Sequence, residues 1–68
     1  MNEELFNMDL RKFLKRFGVS AQREIEKAIH KGIEAGVLTG TETVKVRAWV
    51  EVEGLDGDLL VEDELHLA

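Results

Sequence analysis

The sequence predicts an α+β fold in which two helices pack on one face of a C-terminal antiparallel β-hairpin, an ααββ layer loosely like a winged helix. Three observations carry this: a capped, amphipathic stretch from Gly18 to Gly36, a change from helical to alternating hydrophobic period after Thr43, and an Asp56-Gly57 turn signal between two alternating runs.

The first helix is expected from about Met8, with Asn2 or Asn7 as alternative caps and acidic residues near its positive end. Leu10, Phe13, Leu14 and Phe17 form its apolar stripe, extended by Leu5 and Phe6 if it starts early. Three of the four aromatic residues lie here, so core packing is the expected use of that stripe. Gly18 is expected to end this helix in the left-handed conformation, and Ser20 to cap the next. In the second helix Ala21, Ile25, Ala28, Ile29, Gly32 and Ile33 share one narrow face, and Gly36 supplies the stop, with Val37 folding back on the last turn.

After a VLTGTET connection in which Val37 and Leu38 are expected to bury, Val44, Val46, Ala48, Val50 and Val52 alternate with polar residues. A second alternating run covers Leu59 to Leu67. A two-residue turn at Asp56-Gly57 would set Val52 opposite Val61, Val50 opposite Asp63, and Glu51 opposite Glu62. Asp63 then falls on the apolar face, which calls for a bulge, a partner such as Lys31 or His30, or local exposure. Open strand edges and a small core together favour a homodimer.

Sixty-eight residues are read as one small domain, residues 1–68, near the lower limit for a self-sufficient core, and without Cys there are no disulfides. No apolar run reaches the ~20 residues of a membrane span, and the N-terminus is acidic where a signal peptide would be basic, so a cytoplasmic protein is expected. The net charge of -5 is uneven: residues 1–36 hold seven basic and six acidic side chains, residues 37–68 two basic and eight acidic. The acidic half opposes phosphate backbones, whereas Arg11, Lys12, Lys15 and Arg16 would favour them locally.

Catalysis finds little support. There is no Cys or Tyr, Ser20 is assigned to a cap, His30 and His66 lie on different elements, and no glycine-rich phosphate loop follows a strand. Glu26, His30 and Glu34 recur at four-residue spacing but read as a solvated helix face, and the acidic run Asp56, Asp58, Glu62, Asp63 and Glu64 lacks the order of an EF-hand loop. No enzyme activity, catalytic residue, cofactor, metal or small-molecule ligand is expected.

Two binding readings remain. The leading one is association with a protein, or with a second copy, through the hairpin edge and an outer face carrying Arg47, Trp49, Glu51 and Leu60, since a large indole on a polar face calls for a cover. The alternative is a helix-turn-helix over LRKFLKRFGVSAQREIEKAI, with Gln22, Arg23 and Lys27 joining the basic cluster of the first helix as nucleic-acid contacts. Against it, Glu24 and Glu26 alternate with those residues, and Glu24 stands where the motif places a buried aliphatic.

The combination of E-x-F-N-M, RKFLK, GVSAQREIEKAI and VEGLD, spanning nearly the whole chain, resembles a family of short bacterial proteins of uncharacterised function. The resemblance implies a small cytoplasmic bacterial protein and carries no activity, cofactor or site residue onto these positions.

Overall fold

The computed structural model describes residues 1–68 as one helix, α1 (Glu3–Glu34), followed by two strands, β1 (Thr43–Val50) and β2 (Leu59–His66). Its contacts divide the chain into two units, Met1–Val37 and Leu38–Ala68. The expected two-helix arrangement is therefore corrected: residues 8–17 and 20–36 do not form separate helices, and the helix-turn-helix reading loses its turn.

The reason is legible in the helix itself. Asn2 caps it, its side-chain Oδ1 accepting the Leu5 N–H at 3.1 Å, with Glu3 and Glu4 in the positively polarised first turn. The helix thus begins five residues before the expected Met8. Gly18 and Ser20 continue it without a positive φ, so neither ends nor restarts it. Leu10, Phe13 and Phe17 run in phase with Ala21, Ile25 and Ala28, and no proline interrupts the ladder. One glycine costs about 1 kcal/mol relative to Ala, too little to break a helix with good formers on both sides.

The C-terminus follows expectation. Gly36 takes φ 76°, its N–H donates to the Ile33 carbonyl at 3.1 Å, and the Val37 N–H donates to the Gly32 carbonyl at 2.9 Å, the two bonds of a Schellman ending. The expected burial of Val37 does not follow, since it is 77% exposed, while Leu38 is half-buried.

In the second unit β1 and β2 pair antiparallel, with Trp49 opposite Leu60, Arg47 opposite Glu62, Lys45 opposite Glu64 and Val46 opposite Asp63. The expected hairpin is present, but its register is displaced by four residues and residues 51–58 form the loop. Within it the Leu55 N–H donates to the Val52 carbonyl at 3.1 Å, and Gly54 has φ 78°, the left-handed third position that a type II turn requires. The turn falls at Glu53-Gly54 and not at Asp56-Gly57.

Cross-strand charge explains the displacement. The Asp56-Gly57 register would set Glu51 against Glu62, whereas the observed one sets Arg47 against Glu62 and Lys45 against Glu64. Opposite charges facing each other contribute roughly 0.2–1 kcal/mol per pair, and like charges cost. Because the displacement is an even number of residues, Val44, Val46, Ala48 and Val50 stay on one face. Asp63 remains on that face too. It is accommodated by exposure, without a bulge, and its Oδ1 accepts the Glu64 N–H at 2.8 Å.

Candidate functional site

The hairpin's outer face carries three of the four residues expected to meet a partner, Arg47, Trp49 and Leu60. Thr43, Lys45, Arg47 and Trp49 alternate outward on β1, opposite His66, Glu64, Glu62 and Leu60. The face grades from polar to apolar along its length. Thr43 Oγ1 lies 3.0 Å from His66 Nδ1 at one end, and Arg47 Nε lies 3.8 Å from Glu62 Oε2 in the middle. At the other end Trp49 is 70% exposed beside Leu60 at 54%. Trp49, Leu60 and Arg47 are thus brought together, while Glu51 lies past the end of β1 in the loop.

An indole that open carries little of the hairpin's stability. Trp49→Ala is expected to cost at most about 1 kcal/mol, the upper range for one cross-strand pair. In the unaltered protein iodide should quench Trp49 emission nearly as well as it quenches free indole, which dilute fluorescence measurements check.

The basic cluster runs along one side of α1, since Arg11 and Lys15, like Lys12 and Arg16, stand four residues apart on the same helix. Arg11, Lys12 and Lys15 line a shallow groove with Glu4, Asn7 and Met8, whereas Arg16 lies beside Phe13, Phe17 and Ser20. Farther along, the Gln22 Nε2 donates to Glu26 Oε1 at 3.0 Å and Lys27 Nζ sits 3.9 Å from Glu24 Oε1, so acidic neighbours engage two of the three residues assigned to a recognition helix. Arg23 is exposed on the same continuous helix. No group of three His, Asp or Glu side chains converges in a geometry that could hold a metal ion.

Sequence reasoning missed Glu42. Its carboxylate closes the turn before β1: Oε2 accepts the Thr39 N–H at 2.7 Å, and Oε1 accepts those of Gly40 at 2.9 Å and Thr41 at 3.1 Å. Three N–H donors converging on one carboxylate favour its ionised form, and the Thr39 N–H first among them holds the pKa down to about 2. The signal available was Gly40 followed two residues later by an acid. Glu42 also extends the ladder, its carbonyl accepting the Leu67 N–H at 3.0 Å.

A second surface is the apolar side of α1. Phe13 and Phe17 stack with ring centroids 6.4 Å apart, yet Phe6, Phe13 and Leu14 are each at least half exposed, and no residue of the helix is buried. No helix is long and apolar enough to cross a membrane.

These features define a small helix-plus-hairpin protein with exposed apolar surfaces. The chain belongs to DUF6494, a family of unknown function whose profile matches residues 1–68. No curated protein and no solved structure matches it.

Proposed function

We propose that this protein works by non-covalent association with polypeptides, a second copy of itself included, and not by catalysis. The observation that carries this reading is that no side chain in the chain is buried, although α1 and the hairpin each display large apolar residues. Exposed apolar area of this kind is stabilised chiefly by removal from water, at roughly 25 cal/mol per Å². Trp49 and Leu60 supply the anchor on the hairpin, with Arg47 and Glu62 as the polar rim that typically surrounds such an anchor.

Sedimentation equilibrium, with and without a short DNA duplex at low and high salt, tests the reading. Reversible self-association that ignores the duplex is expected. A chain that remains monomeric at every concentration and binds duplex at low salt, where phosphate contacts are strongest, would overturn it.

A further inference from the structure

We propose that α1 pairs antiparallel with α1 of a second copy, about a two-fold axis beside Val19; this rests on the association reading and names its geometry. Four features of the helix converge on that arrangement.

The first is spacing. From Phe6 to Gly32 the residues along the middle of the apolar stripe, with Leu14 and Ile29 to one side of them, advance by four, three, four, four, four, three and four residues, a series that reads the same in both directions. A two-fold axis perpendicular to the helix, at Val19, therefore superimposes the stripe of one copy on that of the other, layer by layer.

The second is size. The N-terminal half of the stripe holds Phe6, Leu10, Phe13 and Phe17, and the C-terminal half holds Ala21, Ile25, Ala28 and Gly32. Antiparallel pairing sets Phe6 against Gly32, Leu10 against Ala28, Phe13 against Ile25 and Phe17 against Ala21. Each layer then combines one large and one smaller side chain, and the axes can keep an even separation of roughly 8–10 Å over about 39 Å of helix. A parallel pair would stack Phe on Phe at one end and face Gly with Gly at the other, which leaves overpacking and voids.

The third is charge. One flank of the stripe carries Asp9, Arg16, Glu24 and Lys31 at corresponding positions. In the antiparallel pair the layers that join Phe17 to Ala21 bring Arg16 of one copy to Glu24 of the other, and Asp9 to Lys31. Both contacts are of opposite sign, and the symmetry makes each of them twice. In a parallel pair these flanking residues meet the opposite flank, where Asn7, Leu14, Gln22 and Ile29 stand, and no charge is matched.

The fourth is exposure. Phe6 is 51%, Phe13 55% and Phe17 42% exposed, so the large residues of the N-terminal half are open to receive a partner, while Ala21, Ile25 and Gly32 of the other half are half-buried. The mean spacing of about 3.7 residues lies near that of eleven-residue repeats, which implies a nearly straight pair with weak right-handed winding.

Nitroxide labels on single cysteines in this Cys-free chain test the geometry by pulsed dipolar spectroscopy. Glu4→Cys and Val19→Cys both lie off the stripe. The antiparallel pair predicts about 45 Å or more between the two labels at position 4, from ~1.5 Å per residue along the axis, and a much shorter distance at position 19. Arg16→Glu and Glu24→Arg should each weaken dimerisation about tenfold, and the double variant should restore it. Similar short distances at both positions, or a double variant no better than the singles, would overturn the antiparallel geometry and leave association standing. A monomer at all concentrations would overturn the pairing of α1, and a monomer that also binds duplex at low salt would overturn the association reading with it.

Discussion

Gly18→Ala is expected to stabilise α1 by about 1 kcal/mol, and Gly18→Pro to destabilise it by about 3 kcal/mol or more. Gly18 sits in the interior of the helix with no positive φ, and a Cβ built there meets nothing within 4 Å. Alanine therefore removes backbone freedom from the unfolded chain without cost in the folded one. Proline would instead delete the N–H that donates one turn back and clash with the Leu14 carbonyl. Were Gly18 a left-handed stop between two helices, alanine would be the damaging change, so the sign of its effect decides between the architectures. Ellipticity at 222 nm through a thermal melt reads both variants. A loss of helix in Gly18→Ala would contradict the continuous helix.

Acid is expected to loosen the turn before β1 through protonation of Glu42. Its folded pKa of about 2 lies below the ordinary 4.5, so its contribution to stability is fully present above about 4.5 and is lost as pH falls through about 2. Glu42→Gln should open the turn already at neutral pH, because the neutral amide keeps one acceptor oxygen and turns an NH₂ toward converging N–H donors. Carboxyl carbon shifts followed by NMR should titrate with a midpoint near 2, and the amide protons of Thr39, Gly40 and Thr41 should move with it. In the variant those amides should exchange faster with solvent at pH 7 and lose their acid dependence. A Glu42 midpoint near 4.5 would remove the carboxylate from its cap.

What the residues revealed, and what they concealed, divides along a physical line. The Gly36 stop was legible because a Schellman ending is local: a glycine, its φ and two backbone bonds within six residues. The alternation of Val44, Val46, Ala48 and Val50 was legible because period two is a property of a single strand. The hairpin register was misread because Asp56-Gly57 is also a local signal, and it lost to pairing of Arg47 with Glu62 and Lys45 with Glu64 across the strands. Gly18 and Ser20 misled in the same manner. Each is a good end signal taken singly, but the apolar phase runs through both, and continuity of phase over the whole stripe was the stronger evidence.

The candidate site shows the same division. Exposure of Trp49 followed from alternation, since a residue between inward-facing Ala48 and Val50 must point outward. Its neighbour Leu60 was identified as well, though by a register that placed Glu64 across from Trp49. The even displacement preserved the face and changed the partner. Glu42 stayed hidden because its role depends on three N–H groups that converge only once the chain turns at Gly40.

The sequence by itself therefore determined the helix C-terminus, the strands, their inward and outward faces and the absence of disulfides, because each follows from the chemistry of neighbouring residues. Only the tertiary structure decided that α1 is one helix, that β1 and β2 pair with Arg47 facing Glu62, and that Glu42 holds the turn. Those outcomes depend on which of several local preferences agree with one another over distance, and agreement between distant residues outweighs any single turn or cap signal.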